Sequence, residues 1–357
     1  MKYALIGCGR IAVNHIIAAK ANNLEITAMC DININNVNDL INSSELNALS
    51  IKKYTDYKLM IEENPDIQLI SIATSSGSHA EVAIYCIEHN INVIIEKPIA
   101  MNMADAESIL QKAKEHNVKV CTNHQCRFNN SVQEIRKALE SGRFGKISHG
   151  SISVRWWRNK EYYDQAKWRG TWAEDGGTLM NQCIHGIDLL RWMLGDEVES
   201  VYGVTRNRLH NYLEVEDLGM AILQFKNGSV GIVEGTSNIF PQNLEESLLI
   251  SGEKGTVKLG GNSANNVEFW KFEDENEDDA RIRVLTEPAP NVYGHGHIKL
   301  YKDMISAIEE DRPPYVDGIA GRNSLEIVLA IYKSMKTGQA VKLPLTDFNS
   351  TDMNGTF

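Results

Sequence analysis

The 357-residue sequence has no uninterrupted apolar run of about 18 residues, the length that a membrane-spanning helix needs. We find no internal repeat. Lys2 is followed by only a few apolar residues before Gly7 and Arg10, which is too short an apolar region for a signal peptide. We therefore expect a chain that has no membrane partner.

Positive charge is scarce. The chain has 36 Lys and Arg against 47 Asp and Glu, so its formal net charge is 36 − 47 = −11. This balance argues against a surface that binds nucleic acid or an anionic membrane. Part of the excess is local, and we interpret one acidic patch as a solvated hairpin tip: Glu273, Asp274, Glu275, Glu277, Asp278 and Asp279.

The six cysteines are scattered and include no CxxC pair. This pattern predicts reduced thiols in a cytoplasmic protein rather than a disulfide framework or a zinc site. His295-Gly296-His297 offers two candidate metal ligands, but no cysteine or carboxylate is spaced with that pair. We interpret it as a turn before a helix and expect no metal.

A dinucleotide-binding pattern opens the chain. The apolar run Tyr3 to Ile6 is followed by Gly7-Cys8-Gly9-Arg10-Ile11-Ala12 and then by an amphipathic segment that ends near Ala21. The GxGxxA motif thus lies between a predicted strand and a predicted helix. In that position Gly7 permits a tight turn, Gly9 lets a pyrophosphate approach the backbone, and the N-terminus of the helix favours the negative charge of the pyrophosphate. We therefore predict that the loop from Gly7 to Ile11, including Arg10, binds a dinucleotide.

The next predicted strand, Glu25 to Cys30, ends at Asp31. An acidic residue at this position binds the adenosine ribose hydroxyls and repels a 2′-phosphate, so Asp31 favours NAD over NADP. The alternative for Asp31 alone is a helix or turn cap.

Two later strands end in polar residues. Leu69 to Ala73 leads into Thr74-Ser75-Ser76-Gly77-Ser78-His79, and Asn92 to Ile95 leads into Glu96-Lys97-Pro98. Ligands of open parallel sheets bind beyond the carboxyl ends of the strands, so we place Thr74, His79, Glu96 and Lys97 at the cofactor. A last strand, Val118 to Thr122, completes a doubly wound α/β domain over residues 1–124.

Past residue 145 the pattern changes to consecutive strands without helices between them. We predict an α/β domain over residues 125–357 with a large, open, mostly antiparallel sheet, closed by helices at about 297–310 and 323–337 and followed by a loosely held tail after Leu345. The predicted strands are Lys146 to Trp157, Val198 to Arg208, Asp217 to Phe225, Ser229 to Ser237, Glu246 to Ser251, Thr256 to Leu259 and Val267 to Phe272.

The stretch from Gly176 to Gly195 predicts one helix, Thr178 to Leu194, with Thr178 as its N-cap. Helical spacing places Asn181, His185 and Asp188 on a single face. A titratable imidazole among buried side chains suits acid/base chemistry, although a core helix with one satisfied histidine remains the alternative.

Arginines and aromatics alternate from Arg155 to Trp172. Such a stretch suits an anionic ligand that also offers flat surfaces, such as a sugar with a pyrophosphate or carboxylate. The alternative is an aromatic oligomer seam or a sheet face with cation–π pairs. Our candidate substrate contacts are Arg127, Arg158, Trp168, Arg169 and Asn181.

Taken together, the GxGxxA start, Glu96-Lys97-Pro98, and the GG-x(3)-N-x(3)-H-x(2)-D segment resemble the glucose-fructose oxidoreductase / inositol dehydrogenase / rhizopine-catabolism (Gfo/Idh/MocA) family over nearly the whole chain. The resemblance implies a Rossmann domain followed by an α/β domain whose open sheet carries the substrate on one face and often an oligomer contact on the other. It also implies a mechanism without a metal.

The resemblance assigns three catalytic residues. Lys97 matches the family lysine that contacts nicotinamide and the substrate hydroxyl, and His185 matches the histidine usually taken as the acid/base. Many members, including inositol dehydrogenases, have Asp four residues before that histidine, where this chain has Asn181. The chain therefore looks more like the nucleotide-sugar 3-dehydrogenases, and Lys97 and His185 can still exchange roles.

From the sequence we predict a cytoplasmic NAD-dependent dehydrogenase that oxidises a pyranose hydroxyl, at C3, of a UDP-N-acetylamino sugar or its uronate. An inositol or free-hexose dehydrogenase of the same family is the first alternative. A non-catalytic NAD-binding sensor is the alternative of another class. The expected partners are the small-molecule sugar substrate and a second copy of the chain, as a homodimer or homotetramer.

Overall fold

The computed structural model of the chain describes residues 1–47, 49–195, 197–287 and 296–357. These residues divide into two compact units. The first contains Met1–Asn123 and His297–Arg322, and the second contains His124–Gly296 and Asn323–Phe357. The predicted boundary after residue 124 lies one residue from the structural one, but the structure groups residues 297–322 with the first unit.

Fourteen strands are found in the described residues. In chain order they are β1 Lys2–Ile6, β2 Glu25–Cys30, β3 Lys52–Tyr54, β4 Leu69–Ile72, β5 Asn92–Ile95, β6 Val120–Thr122, β7 Ile147–Arg155, β8 Val198–Arg206, β9 Leu218–Phe225, β10 Val230–Thr236, β11 Glu245–Gly252, β12 Gly255–Gly260, β13 Asn266–Phe272 and β14 Val341–Lys342.

The same ranges contain twelve α-helices. They are α1 Ala12–Ala21, α2 Ile34–Ser43, α3 Tyr57–Glu62, α4 His79–Glu88, α5 Met103–His116, α6 Asn130–Glu140, α7 Lys160–Tyr163, α8 Thr178–Asn181, α9 Ile184–Leu194, α10 Glu277–Ile282, α11 Gly296–Glu309 and α12 Gly318–Thr337. Short 3-10 turns occur at Ser76–Ser78, Gln125–Phe128 and Ser350–Met353.

The first unit contains a parallel sheet in the order β3-β2-β1-β4-β5-β6. All four residues of β4 are buried, as expected of a central strand covered on both faces. The strand order reverses between β1 and β4, and this switch point is where doubly wound folds bind dinucleotides. The predicted Rossmann architecture is confirmed.

The second unit contains an eight-stranded sheet in the order β13-β12-β11-β7-β10-β9-β8-β14. Within the described strands, β7 and β10 pair in parallel and every other pair of neighbours is antiparallel. In β9, buried residues alternate with more exposed ones, so that one face of the strand is covered and the other is open. The predicted mostly antiparallel sheet is confirmed.

Helices α8 and α9 lie on the covered face of this sheet, against β7, β9, β10 and β11. Two glycines allow α8 and the start of α9 to approach the strands. A Cβ atom at Gly235 would lie 2.6 Å from Cys183 Sγ, and one at Gly219 would lie 2.5 Å from Leu179 Cδ1. A larger residue at either position would push these helices away from the sheet.

The predicted single helix from Thr178 to Leu194 is wrong. Gln182 and Cys183 interrupt it, so Asn181 ends α8 and His185 lies in the first turn of α9. Gly177 is the N-cap of α8, and the Thr178 hydroxyl instead donates to Ser237 Oγ at 3.0 Å. The apolar spacing continues across the break, so the sequence pattern alone predicts a single helix.

The acidic patch is more ordered than a solvated hairpin tip. Asn276 caps α10 in a capping box with Asp279, which is buried and accepts hydrogen bonds from Arg143 and Trp270. The expectation of a solvated tip is therefore wrong for Asp279.

The tail after Leu345 packs against the second unit, contrary to prediction. Met353 is fully buried, Ser350 Oγ donates to the Trp172 carbonyl at 2.8 Å, and the Phe357 ring stacks on Trp172 with centroids 6.3 Å apart. Ser350 and Met353 are therefore part of this unit's core, whereas Phe357 is 40% exposed.

No helix in the described ranges is both long and apolar enough to cross a membrane.

Candidate active site

The loop after β1 has the form that a pyrophosphate requires. Gly7 has φ +93°, and a Cβ atom there would lie 2.4 Å from the Ala73 carbonyl carbon, so only glycine fits. At exposed Gly9, a Cβ atom would meet no other described atom within 4 Å. Exposed Arg10 and half-buried Ile11 then lead into α1. The predicted cofactor residues thus form an open glycine loop at the switch point.

Asp31 has a structural task in addition to its predicted one. Its carboxylate accepts hydrogen bonds from the backbone N–H of Cys8 at 2.8 Å and of Asn33 at 2.8 Å, and from Asn36 Nδ2 at 3.0 Å. The bond from Cys8 ties the end of β2 to the glycine loop. Asp31 is only half-buried, so its role as a ribose ligand stays a prediction.

The polar residues that follow β4 and β5 meet at one imidazole. His79 is buried, and its Nδ1 lies 2.8 Å from the Pro98 carbonyl oxygen while its Nε2 lies 3.3 Å from that of Thr74. Burial lowers the pKa of His79, so the ring is neutral and donates to one carbonyl at a time. The Lys97-Pro98 bond is cis, and Lys97 is half-buried.

Glu96 lies at the centre of a buried polar cluster in the first unit. Its Oε1 is 3.1 Å from His15 Nε2 and 3.8 Å from His297 Nε2, and it accepts a hydrogen bond from Asn123. His15 Nδ1 lies 2.6 Å from the Tyr301 hydroxyl. Burial alone would raise the pKa of Glu96, but the two histidines hold it well below its ordinary value.

This cluster also has the donor atoms of a metal site, since the ligand atoms of His15, Glu96 and His297 all lie within 4.8 Å of one another. His295, the other half of the histidine pair in the sequence, lies outside the described residues. Hydrogen bonds also join these groups, since Asn123 Nδ2 lies 2.9 Å from His297 Nε2, and the expectation of no metal stays a prediction.

In the second unit, Asn181 contacts a carboxylate that the sequence did not reveal. Its Nδ2 donates to Asp175 Oδ1, and Asp175 Oδ2 accepts from the Gly170 N–H at 2.7 Å. Asp175 is 1% exposed. The position four residues before His185 lacks a carboxylate, but Asp175 supplies one from the loop before α8.

Asp188 pairs with Arg127. The guanidinium Nε and Nη2 donate to its two carboxylate oxygens, each at 2.7 Å, and Arg191 Nη2 lies 3.6 Å from Oδ1. Burial alone would raise the pKa of Asp188, but the positive charge and hydrogen bonds of Arg127, together with the positive charge of Arg191, hold it far below its ordinary value. Arg127, predicted to contact substrate, is 4% exposed and bound to Asp188 on two of its nitrogens.

A second histidine adjoins His185. His124 Nδ1 lies 3.4 Å from His185 Nδ1, and the ring planes meet at 87°. On its other side, His124 Nε2 lies 3.2 Å from Ser324 Oγ, which donates to Asp188 Oδ1 at 3.1 Å. Both imidazoles are buried. Asp188 therefore reaches His185 through Ser324 and His124 rather than directly.

Two of the three predicted substrate arginines, Arg158 and Arg169, converge on one tyrosine. The guanidinium carbons of Arg158 and Arg169 lie 5.0 Å and 4.5 Å from the centroid of the Tyr162 ring, and Arg169 also stacks on Trp168 at 4.6 Å. Arg169 Nη1 donates to the Tyr162 hydroxyl at 2.7 Å. These four half-buried side chains, Arg158, Tyr162, Trp168 and Arg169, form what we call the arginine–aromatic cluster.

A chain of hydrogen bonds joins this cluster to Asn181. Gln182 Nε2 donates to the Tyr162 hydroxyl at 3.3 Å and lies 3.3 Å from Asn181 Oδ1. Sequence reasoning identified Arg158, Trp168, Arg169 and Asn181 but missed their connectors, Tyr162, Gln182 and Asp175. It also missed His124, although that residue lies two positions after the predicted last strand of the first domain, near the end of the sheet where ligand-binding side chains collect.

Several solved structures resemble the whole chain. A WlbA dehydrogenase from Bordetella pertussis, solved in complex with NADH and UDP-GlcNAcA, is 35% identical, with a TM-score of 0.87 over 97% of this chain and 98% of that one. The WlbA dehydrogenase from Chromobacterium violaceum, solved with the same two ligands, is 34% identical, with a TM-score of 0.88 over 97% of each chain.

Among curated proteins, a myo-inositol 2-dehydrogenase from Thermotoga maritima is 25% identical over 96% of this chain and 98% of its own. Residues 1–124 match the description "Oxidoreductase family, NAD-binding Rossmann fold", and residues 136–343 match its "C-terminal alpha/beta domain". With both domains matched in order, the chain belongs to the Gfo/Idh/MocA family of NAD-dependent oxidoreductases.

Proposed function

We propose that this protein is an NAD-dependent dehydrogenase that oxidises a secondary hydroxyl, at C3, of the pyranose ring of a UDP-N-acetylamino sugar or its uronate. The observation that carries the proposal is the arginine–aromatic cluster and its hydrogen-bonded link to Asn181, in the unit that contains His185. It is supported by two relatives of about one-third identity that were solved with NADH and UDP-GlcNAcA.

Oxidation of an alcohol releases a hydride and a proton, and bound NAD supplies the hydride acceptor. The chain must then supply a base for the proton. We assign this role to His185, because the ordinary pKa of imidazole suits proton transfer near neutrality. Lys97 holds the hydroxyl and stabilises the developing negative charge on its oxygen. Asn181 orients the hydroxyl without titrating.

The arginine–aromatic cluster suits the rest of such a substrate. A guanidinium binds phosphate or carboxylate oxygens with paired N–H donors, while its face and the tyrosine and tryptophan rings stack on flat groups. A nucleoside diphosphate sugar offers both an anionic pyrophosphate and a planar base. Inositol offers neither, so the cluster favours the nucleotide sugar.

The test is NADH formation, followed by absorbance, with saturating NAD and one of five substrates: UDP-N-acetylglucosamine, its uronate, glucose, inositol or xylose. We expect turnover with a UDP-sugar alone, and we expect His185→Gln to abolish it while NAD binding, measured by calorimetry, is retained. Analysis of the product by mass spectrometry and NMR then locates the new carbonyl at C3 or elsewhere.

Inositol oxidation is the second candidate, because the Thermotoga maritima relative carries that name. If inositol or a free hexose reacts and the UDP-sugars do not, the nucleotide-sugar proposal fails and the cluster has a structural role. If nothing reacts while NAD binds, a sensor is favoured, and Lys97→Ala should then leave its NAD-dependent output intact.

We further propose that the protein works in the cytoplasm as a homodimer or homotetramer. The six cysteine side chains are all buried, as suits reduced thiols in the cytoplasm.

The open face of the sheet supports self-association. It carries apolar residues of β8, β9 and β10 that are 38–51% exposed, and the strand register places Tyr202, Ile222 and Ile232 side by side. A contiguous apolar patch of this kind favours contact with a second copy. The patch consists of Tyr202, Val204, Met220, Ile222, Val230 and Ile232.

A further inference from the structure

We propose that His124 is a positioning residue and second proton carrier: the buried chain Asp188–Ser324–His124 holds His185 in the tautomer whose Nε2 is the base, and His124 then receives the proton from His185. The proposal rests on the role of His185 in the proposed function. It concerns residues of the second unit only, and each direction of hydrogen bonding follows from the one before it.

The chain of bonds starts at a fixed charge. Asp188 is fully buried and bound by both Arg127 donors, with Arg191 also beside it. Because these positive charges keep its pKa far below neutrality, the carboxylate is ionised and can only accept hydrogen bonds. Ser324 Oγ, at 3.1 Å, must therefore donate its single proton to Asp188.

That donation determines the protonation of His124. Because the Ser324 hydroxyl donates its one hydrogen to Asp188, its oxygen lone pairs can only accept a further hydrogen bond. His124 Nε2, 3.2 Å away, must then carry a hydrogen and donate it to Ser324. In a neutral imidazole, a proton on Nε2 leaves a lone pair on Nδ1, and His124 Nδ1 is the atom that faces His185.

The last step selects the tautomer of His185. Its Nδ1 lies 3.4 Å from His124 Nδ1, which offers a lone pair, so His185 Nδ1 must carry the hydrogen and donate it. The lone pair of His185 then falls on Nε2. A fixed negative charge thus sets the direction of three successive hydrogen bonds. His185 Nε2 becomes the acceptor of the substrate proton.

The same contact offers a route onward for that proton. When His185 Nε2 has taken a proton, the ring is an imidazolium with two N–H bonds. Its Nδ1–H bond can then break as a His124 Nδ1–H bond forms, which returns His185 to neutrality and places the positive charge on His124. Asp188 favours that charge through Ser324, whereas Arg127 and Arg191 oppose it.

The direct test is the tautomer of His185, read from long-range proton–nitrogen spectra of protein labelled with nitrogen-15 histidine. His185→Gln and His124→Gln spectra assign the two rings. We expect wild-type His185 to be protonated on Nδ1 and His124 on Nε2 above neutral pH. This readout needs no substrate, so it remains valid if the proposed reaction is wrong.

Two serine variants distinguish an effect on the tautomer of His185 from a general disturbance of the fold. Ser324→Ala removes the link to Asp188, and we expect His185 to become a mixture of tautomers and kcat to fall about tenfold, the size of one lost hydrogen bond to a charged group. Ser334→Ala removes a buried serine on the same helix that bonds Gly203 and Gln339, and should change neither the spectrum nor kcat.

Substitutions of His124 distinguish its control of the His185 tautomer from its role as the acceptor of the proton from His185. His124→Asn can still offer an acceptor near Nδ1 and should preserve the His185 tautomer while lowering kcat, whereas His124→Leu should disturb both. Thermal unfolding checks that each variant folds. A wild-type His185 protonated on Nε2, or a Ser324→Ala protein with an unchanged spectrum and unchanged kcat, overturns the proposal.

Discussion

Asn181 Nδ2 donates a hydrogen bond to Asp175, so a half-buried amide and a buried carboxylate six residues apart in sequence form one pair. The sequence has no carboxylate four residues before His185, and this pair brings one to Asn181 from the loop before α8. The Gly170 N–H donates to the same carboxylate, and the amide lies between it and Gln182.

We expect Asn181→Asp to lower kcat for the preferred substrate by roughly 10- to 100-fold. The change replaces a hydrogen bond to a charged group with two adjacent carboxylates, which costs on the order of 1.5–3 kcal/mol. Steady-state kinetics on the UDP-sugar measure it. Asn211→Asp, at an exposed residue of the same unit, is the control, and equal activity of Asn181→Asp and wild type would contradict the assignment.

If the arginine–aromatic cluster binds the substrate, a substitution in it should weaken substrate binding without slowing the chemical step. In Arg169→Lys the planar guanidinium that stacks on Tyr162 and Trp168 is lost while the charge is kept. We expect KM for the UDP-sugar to rise about tenfold with kcat nearly unchanged. Arg281→Lys, at an exposed ion pair with Glu134, is the control. A fall in kcat alone would point to a role in chemistry instead.

Two buried carboxyl groups make stability depend on pH. Burial raises the pKa of Glu216 to about 8, although its Oε1 accepts from the Leu179 N–H and the Tyr332 hydroxyl, and burial likewise raises that of Glu246 to about 8. The folded protein therefore keeps protons that the unfolded chain loses above its ordinary pKa, so stability falls as pH rises from about 4.5 to about 8.

We expect Glu216→Gln to flatten this dependence by an amount on the order of a few kcal/mol between pH 5 and 9. Denaturant unfolding at several pH values measures it, and the exposed Glu199→Gln serves as the control. The effect should be largest above about pH 8, where wild-type Glu216 must ionise in its buried site. An unchanged slope would show that Glu216 is not protonated near neutrality.

The apolar patch on the open sheet face predicts self-association. Ile222 is 48% exposed at the middle of the patch, opposite Tyr202 on one side and Ile232 on the other. We expect Ile222→Glu to shift the wild-type oligomer to smaller species in sedimentation velocity, because burying the charge is costly. Leu49→Glu, at a 98% exposed residue of the first unit, should leave the oligomer intact.

The His15, Glu96 and His297 cluster leads to a prediction about metal removal. Because Tyr301 and Asn123 form hydrogen bonds within this cluster, we expect activity to survive dialysis against a strong chelator. We also expect mass spectrometry to find no stoichiometric zinc or iron in the purified protein. Loss of activity that returns on adding one metal would assign these three residues a ligand role.

Much of the first unit could be predicted because its signals are local. Gly7, Gly9 and Asp31 lie within one strand–loop–helix–strand unit, and the rule that ligands bind at the carboxyl ends of parallel strands placed Thr74, His79 and Glu96. The network around Glu96 could not be predicted, because His15 and His297 are separated by 281 intervening residues and meet only in the folded unit.

The second unit shows where pattern reading fails. Continuous apolar periodicity from Thr178 to Leu194 predicted one helix, but the structure breaks it at Gln182 and Cys183, where Leu179 and Cys183 pack closely on glycines in β9 and β10. Helical spacing also put Asp188 beside His185. Its carboxylate turns instead to Arg127, a partner 61 residues away that periodicity cannot reveal.

The stacking of Phe357 on Trp172 has a practical consequence for handling the protein. Trp172 lies in the loop that leads to Asp175, the partner of Asn181, so an affinity tag attached directly after Phe357 would begin at a ring that contacts this loop. A tag joined at Met1, or one removed by protease from a flexible spacer, is the safer choice for kinetic work.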